Sequence, residues 1–175
     1  MKAFIECIVC LLFSISVWAQ LPATDEKAVR EVANHWVVNL NNHRFQEMTG
    51  YTTQDVSFTT PVGMHWRGQQ EVVKGHEALF ARMYKGVPFK ATNQTVRSIA
   101  PDVAVVDQTT TVGVSYPPDG VNRGTNMEGP MKGEQVLVMV KKHGQWLVAA
   151  GAVTGINEKA IKSASTVATT KVRAK

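Results

Sequence analysis

Asp107 is the residue of this chain whose setting best suits acid/base chemistry. It interrupts the apolar strand pattern VAVVDQTTTVGV, which begins at Val103. Because side chains alternate between the two faces of a strand, Val103, Val105 and Asp107 share one face. A carboxylate beside those valines would lose part of its hydration, which favours its protonated form and suits a general acid or base near neutral pH. The alternatives are that this face turns to solvent, or that an arginine neutralises the carboxylate.

Arg97, in the strand before Asp107, is the candidate partner of that carboxylate and a candidate ligand-binding residue. Its position depends on how the turn at Pro101 and Asp102 sets the register. A two-residue turn places Arg97 opposite Val106, on the other face, whereas a three-residue turn places it opposite Asp107. The sequence leaves both registers open.

His76 is the second candidate for chemistry, because it lies in the apolar stripe of a helix that starts near Gln69. A histidine there faces the core or a cavity. It is either a hydrogen-bonded core residue or a polar group that positions a ligand. His76 and Glu77 begin an H-E-x-x-H pattern, but its fifth residue is Phe80, so this helix lacks a second zinc ligand. We predict no metal site and no cofactor.

Aromatic side chains that could line a ligand cavity occur in several predicted elements. The last strand is rich in Ala and Gly from Ala149 to Gly155, which leaves volume unfilled and favours a cavity. Tryptophans at such positions are also common core residues, so both interpretations stay open. The candidate ligand-binding residues of this kind are Trp36, Phe58, Trp66, Phe80 and Trp146.

The order of the predicted elements is helix, short helix, small hairpin, helix and then a long run of strands. Thr24 can cap the first helix, which carries Trp36. Gly63 turns the hairpin, and the apolar stripe of the second long helix runs to Met83 before Gly86 ends it. Helices that precede strands in this way predict an α+β fold. In it, N-terminal helices pack on one face of a curved antiparallel sheet, and the open end of the sheet makes a pocket.

Three stretches of the chain carry a family resemblance. They are TQDVSFTTPVGMHWRGQQEVVKGHEALFARMYKG, IAPDVAVVDQTT and VLVMVKKHGQWLVAAGAVT. Their order and spacing resemble a nuclear-transport-factor-two-like domain of the SnoaL-like, SgcJ/EcaC sort, from Asp25 to Gly155. The resemblance implies a cone-shaped fold, a largely apolar cavity and a homodimer. It implies no single reaction, because one fold carries many different sites.

Steroid isomerases of this fold give a test of that resemblance, and their chemistry is disfavoured here. The turn PVG resembles the isomerase turn, but the place of the aspartate base is taken by Thr60. The place of the oxyanion-binding tyrosine falls on Trp36, and that of the protonated aspartate falls near Val136. A hydroxyl, an indole and a valine cannot carry out that proton shuttle. Many SgcJ/EcaC relatives also carry a histidine in the last strand, where this chain has Ala152.

The two ends of the chain differ in composition from the segment between them. Residues 1–19, MKAFIECIVCLLFSISVWA, combine an early lysine, an apolar run and small residues at a cleavage site. This pattern predicts a cleaved signal peptide, which removes Cys7 and Cys10, and a secreted or periplasmic protein. Residues 20–156 form the predicted single SnoaL-like domain, and residues 157–175 a basic tail that is disordered or a frayed helix. We predict no membrane span.

Charge argues against nucleic acid as a partner. The net charge is +5, but the tail from Asn157 to Lys175 holds five Lys or Arg and one acid, so the domain is close to neutral. We therefore predict an exported protein that binds a small apolar molecule in its cavity. It is either an acid/base enzyme without metal or cofactor (an isomerase, lyase, cyclase or hydrolase that uses Asp107 and His76) or a non-catalytic carrier or dimeric interaction domain.

Overall fold

The computed structural model describes residues 20–164 and shows two long helices packed against a six-stranded curved sheet. This architecture confirms the α+β fold that the sequence predicts. The predicted signal peptide, with Cys7 and Cys10, lies outside the described residues, as do residues 165–175. Within the described part, no helix is long and apolar enough to cross a lipid bilayer.

Helix α1 (Ala23–Asn42) begins directly after Pro22, whose carbonyl oxygen accepts a hydrogen bond from the Asp25 N–H at 2.9 Å. The structure corrects the prediction that Thr24 caps this helix, because Thr24 lies inside the first turn and no side chain caps it. Pro22 suits the position because its fixed φ leads into a helix and its missing N–H would have no partner there. The helix ends where His43 adopts a left-handed conformation with a φ of 56°.

A short 3-10 helix (Phe45–Gly50) and a hairpin connect the two long helices. The hairpin pairs strand β1 (Thr52–Thr59) with strand β2 (His65–Arg67) through a turn at Gly63, whose φ is 83°. Helix α2 (Gly68–Phe80) follows directly. The apolar stripe predicted from the sequence runs to Met83, but the helix ends earlier, because residues 81–86 form turns.

Four longer strands complete the sheet. They are β3 (Phe89–Ala100), β4 (Val103–Val112), β5 (Met131–Lys142) and β6 (Gln145–Gly155). The order in the sheet is β2-β1-β6-β5-β4-β3. Strand β1 runs parallel to β6, whereas the other neighbouring pairs are antiparallel. The sheet is therefore mixed rather than wholly antiparallel as predicted, because β1 and β6 meet without a hairpin that would force opposite directions.

The core lies between the two long helices and one face of the sheet. Trp36 of α1 and Met139 of β5 are fully buried in it. Strand β4 contributes Ala104 and Val106, so its even-numbered positions face the helices. Full burial of a valine or methionine side chain contributes about 1.5–3 kcal/mol. These apolar contacts fix which face of each strand points inward. That choice also determines which polar side chains reach the interior.

The first residues of the basic tail remain in contact with the domain. Residues 158–164 are helical, and the Oδ1 of Asn157 accepts the N–H of Ala160 at 3.0 Å, which caps this segment. The carboxylate of Glu158 lies 3.4 Å from the ammonium group of Lys132 on β5. The tail is thus helical over the part that the structure describes.

Asp25 ties the beginning of α1 to the β5–β6 hairpin. Its Oδ1 accepts hydrogen bonds from Lys141 Nζ at 2.7 Å and from Trp146 Nε1 at 3.2 Å. The Lys141 ammonium also lies 5.9 Å from the centre of the Trp146 ring. Trp146 therefore has a structural partner at this corner of the fold. It is not among the residues that line the cavity described below, where the sequence analysis expected it.

Replacement of Asp25 by Asn should lower the thermal midpoint at pH 7. The Lys141 ammonium, and after it the Trp146 indole N–H, hold the pKa of Asp25 below its usual value of 3.8. A carboxyl group whose pKa is lower in the folded state contributes stability above its unfolded-state pKa. That contribution is lost as the pH falls through the folded-state pKa. The midpoint difference between wild type and Asp25→Asn, followed by circular dichroism, should therefore shrink below about pH 4.

Asp102→Asn is the matched control for this prediction, because Asp102 is exposed in the β3–β4 turn. It should leave the thermal midpoint at pH 7 close to that of the wild type. Equal losses in the two variants would contradict a specific role for Asp25.

Candidate functional site

A cavity of about 430 Å³ opens between the two long helices and the sheet, a volume within the range of small-ligand sites. Most of its lining is apolar or aromatic. Exposed residues of the β1–β2 turn, among them Val62 and Met64, form part of its mouth, and Lys132 and Glu158 also border it. The candidate residues that the structure brings together on this lining are Trp36, Phe58, Trp66, His76 and Phe80.

His76 is enclosed by aromatic rings. Its ring centroid lies 4.9 Å from that of Trp66 and 5.4 Å from those of Trp36 and Phe58. Two phenylalanine rings follow at 6.0 and 6.4 Å. The residue is only 4% exposed. These surroundings remove water from the imidazole and disfavour its charged form.

One hydrogen bond fixes the tautomer of His76. Its Nδ1 lies 2.7 Å from the carbonyl oxygen of Val72, and a carbonyl can only accept, so Nδ1 carries the proton. Burial lowers the pKa of His76 to about 4, and the hydrogen bond to Val72, which acts in the opposite direction, offsets only part of this shift. The ring is therefore neutral at pH 7, and its lone pair is on Nε2. His76 thus contributes a hydrogen-bond acceptor to an enclosure that consists mainly of aromatic rings.

Gly75 allows Trp66 to lie against helix α2. A Cβ atom at this position would overlap the indole ring of Trp66. A glycine inside a helix costs about 1 kcal/mol relative to alanine, so its presence here is explained by the close approach of the ring. The lone glycine before His76 is a signal for this approach that the sequence analysis did not use.

Trp36 provides a hydrogen-bond donor without a partner. Its ring stacks on Phe58 at 5.1 Å and meets His76 edge-on, and the residue is fully buried. Among the described residues, no acceptor pairs with its indole Nε1–H. A buried N–H without a partner costs about 1–3 kcal/mol.

Thr60 lies on the cavity lining but serves the β1–β2 hairpin. Its Oγ1 accepts a hydrogen bond from the Met64 N–H at 3.1 Å, and its backbone N–H donates to the Met64 carbonyl oxygen at 2.9 Å. The threonine that the resemblance sets at the place of the steroid-isomerase base therefore stabilises a turn.

Gln135 is a lining residue that the sequence analysis missed. It is 3% exposed and shares its strand face with Leu137 and Met139, both fully buried. Its neighbour Val136 faces the other way and is 37% exposed, so the interior position of this strand is Gln135 and not Val136. The available signal was the strand alternation, because a polar residue in phase with Leu137 and Met139 must lie inside.

Asp107 lies on the other face of the sheet from the cavity. Its neighbours Val106 and Gln108 are buried on the helix side, so the alternation of β4 turns Asp107 outward. Its Oδ2 is 3.5 Å from Arg97 Nε, and the two side chains are 42% and 59% exposed. The expectation that an apolar environment surrounds this carboxylate is therefore not met. Its surroundings instead match the alternative in which an arginine neutralises the carboxylate.

The register that brings Arg97 to this face is neither of the two considered from the sequence. Ala100 pairs with Val103 across a two-residue turn, but Arg97 pairs with Val105, because a bulge at Ile99 adds one residue to β3. Arg97 is then diagonal to Asp107 on the same face, which is within reach of a long side chain. Neither residue is among those that line the cavity.

Metal-binding residues do not cluster in the part of the chain that the structure describes. Within residues 20–164, no group of three or more His, Cys, Asp or Glu side chains is arranged to hold a metal ion.

Comparisons with known proteins identify the same fold. The family model described as a SnoaL-like domain matches residues 29–150. A Caulobacter vibrioides protein with a cystatin-like fold is 22% identical, with a TM-score of 0.73 over 81% of this chain and 96% of that chain. A nuclear transport factor 2-like superfamily protein from Salmonella enterica is 14% identical, with a TM-score of 0.64 over 78% of this chain and 94% of that chain.

A ketosteroid isomerase-like protein from Erwinia carotovora atroseptica is also similar. It is 16% identical, with a TM-score of 0.61 over 75% of this chain and 95% of that chain. No curated protein matches the chain. At these identities the structural likenesses show the fold alone. The nuclear-transport-factor-two-like fold is thereby confirmed, whereas the SgcJ/EcaC type stays a prediction.

Replacement of His76 by Leu should make stability less dependent on pH. The unfolded chain takes up a proton at this histidine near pH 6.5, but the folded protein does so only near pH 4. Acidification from pH 7 to pH 5 should therefore destabilise the wild type by about 2 kcal/mol through this residue alone. Urea unfolding at both pH values should show that His76→Leu lacks this part of the loss.

His143→Asn is the control for the pH experiment, because His143 is exposed in the β5–β6 turn and asparagine tolerates its positive φ of 51°. This variant should keep the wild-type dependence on pH. If His76→Leu keeps it as well, the neutral state of His76 inferred from its burial is wrong.

Proposed function

The chain belongs to the SnoaL-like domain family, and from that premise we propose that it binds a small, largely apolar molecule in the cavity. His76 orients the molecule by accepting a hydrogen bond at Nε2 from an O–H or N–H group of the ligand. The observation that carries the proposal is the neutral imidazole, enclosed by aromatic rings, on the lining of a cavity of about 430 Å³. In such sites apolar contact supplies affinity, and a few polar groups supply orientation.

An acid/base enzyme is the second candidate, favoured by the likeness to a ketosteroid isomerase-like protein. Proton transfer needs a base in the cavity. A pKa of about 4 makes His76 a weak base near neutral pH, and Asp107 lies on the other face of the sheet. Among the described lining residues the only carboxylate is that of Glu158, which pairs with Lys132. These features favour binding without turnover.

Filling the cavity should abolish binding of an apolar probe. Val153 lines the cavity on β6, and Val136 lies on the outer face of β5, so the same change to Phe can be made at both positions. We expect the wild type and Val136→Phe to bind 2-naphthol in equilibrium dialysis, and Val153→Phe to lose this binding. Undiminished binding by Val153→Phe would contradict the proposed site.

The role of His76 is tested with 2-methoxynaphthalene, which keeps the ring system of 2-naphthol but carries a methyl group in place of its O–H hydrogen. The wild type should prefer 2-naphthol about fivefold, the effect of one hydrogen bond of about 1 kcal/mol. His76→Leu should bind both probes with similar affinity. A preference that persists in His76→Leu would remove His76 from the role proposed for it.

Turnover is distinguished from binding by hydrogen exchange. An enzyme that uses either candidate base would catalyse the exchange of the acetyl protons of 2-acetylnaphthalene in D₂O, which proton NMR follows. Binding alone leaves that rate unchanged. Exchange that is lost in Asp107→Asn but kept in His76→Leu would restore the sequence-based assignment of Asp107 as the acid/base residue.

Export and a homodimer are part of the same proposal. The apolar run and the small residues before Gln20 support cleavage there and a secreted or periplasmic location. The family resemblance supports the homodimer. Intact mass and light scattering of protein collected outside the cytoplasm measure both properties.

A further inference from the structure

Three glutamines on neighbouring strands form one continuous line of hydrogen bonds through the sheet. Gln108 on β4 pairs directly with Gln135 on β5. Gln94 on β3 lies in the irregular step where Asn93 adopts a φ of 53°, and its side chain reaches Gln108. Gln108 is 1% exposed and Gln135 is 3% exposed. The line therefore runs from the partly exposed edge strand into the buried wall of the cavity.

Arg30 fixes the direction of every amide in this line, because a guanidinium group can only donate. Its Nη1 lies 3.3 Å from the Oε1 of Gln94 and 3.0 Å from the backbone oxygen of the same residue. The Nε2 of Gln94 then donates to the Oε1 of Gln108 at 3.0 Å, and the Nε2 of Gln108 donates to the Oε1 of Gln135 at 2.6 Å. The Nη2 and Nε of Arg30 donate to the Oε1 of Glu26, at 2.7 and 3.0 Å.

The line ends on the NH₂ group of Gln135. Because the Oε1 of Gln135 accepts from Gln108, the NH₂ group is the end of this lining side chain that is left for a ligand. Hydrogen bonds that point the same way polarise one another, so the donors earlier in the line strengthen the one at its end. The NH₂ group of Gln135 is thus a strengthened donor at the cavity wall.

Burial of the side-chain amides in this line costs free energy. Strands β4 and β5, which carry the buried Gln108 and Gln135, are otherwise rich in valine, and a buried amide that loses its partner costs about 1–3 kcal/mol. Apolar residues at the same positions would avoid this risk, since the strand pairing itself depends on backbone groups.

We propose that Gln135 is a specificity-determining residue that donates a hydrogen bond to a carbonyl oxygen of the bound molecule. Gln108, Gln94 and Arg30 are positioning residues that orient and polarise its amide. This inference rests on the proposed function, since it requires a ligand in the cavity. It adds a donor for one part of the ligand to the acceptor that His76 provides for another.

The test compares 2-acetylnaphthalene with 2-isopropenylnaphthalene, in which a CH₂ group replaces the carbonyl oxygen in the same shape. The wild type should bind the ketone about fivefold more tightly in equilibrium dialysis. Gln135→Leu should lose this preference while its affinity for the alkene is kept or increased. A preference that survives in Gln135→Leu overturns the inference.

The infrared carbonyl stretch of the bound ketone reports the hydrogen bond itself. It should move to lower frequency in the wild type, and part of this shift should be lost in Arg30→Met, whose alkene affinity should be unchanged. Arg97→Met removes an arginine from the outer face of the sheet and should keep the full shift. These variants leave Gln135 in place, so the inference stays testable even if Gln135→Leu does not fold.

The outcomes separate this inference from the function on which it rests. Binding of both probes with equal affinity and no shift of the carbonyl stretch would overturn the role of Gln135 and leave the ligand-binding proposal standing. If neither probe binds to the wild type, or if Val153→Phe binds them as well as the wild type does, the cavity is not the binding site and both proposals fail.

Discussion

The close approach of the Trp66 ring to the backbone of α2 is the contact on which the rest of the cavity depends. It is possible because Gly75 has no side chain. The ring covers His76 from one side, while Trp36 and Phe58 cover it from others. Water is thereby excluded from the imidazole, which lowers its pKa, keeps it neutral and leaves a lone pair on Nε2. The absence of a side chain at Gly75 thus allows the packing that keeps the neighbouring His76 neutral.

Polar groups in the cavity wall are few, and their directions are fixed from behind. The carbonyl oxygen of Val72 holds Nδ1 of His76, and Gln108 holds the oxygen end of Gln135. Because the supporting groups are themselves buried or hydrogen-bonded, neither side chain needs to reorganise when a ligand arrives. Fixed direction of this kind reduces the entropic cost of binding. It also makes the cavity selective for ligands whose own donor and acceptor match the positions of these two side chains.

The sequence was sufficient for the elements and for much of the aromatic lining, because helical spacing and strand alternation are local patterns. It failed at Asp107 because β4 carries two interleaved series that look alike. Val103, Val105 and Asp107 form one, and Ala104, Val106 and Gln108 form the other, and both pass from apolar to polar. Only the packing of the helices decides which series faces inward. A choice of this kind between faces depends on distant residues.

Two other misses have the same origin in long-range contacts. The bulge at Ile99 moves Arg97 to the face of the sheet that carries Asp107, and no turn residue in the sequence indicates this bulge. Trp146 finds its partner in Asp25, a residue 121 positions earlier in the chain. Gln135 and Gly75 differ from these cases, since local patterns pointed to both. A polar residue in phase with a buried strand face, and a glycine in the middle of a helix, each mark a place where something specific is in contact.

The parallel pairing of β1 with β6 has a consequence for the order in which the chain can fold. Short turns close the β3–β4 and β5–β6 hairpins, and the loop of residues 113–130 joins β4 to β5, whereas β1 and β2 join the sheet only through β6, the last of the six strands to be synthesised. Contacts between such distant segments are formed late, because a long loop must close first. A growing chain therefore holds its first hairpin without a neighbouring strand until β6 has been made. A chain shortened before β6 would retain strands β3 to β5 but lose the strand that pairs with β1, which carries Phe58 of the cavity wall.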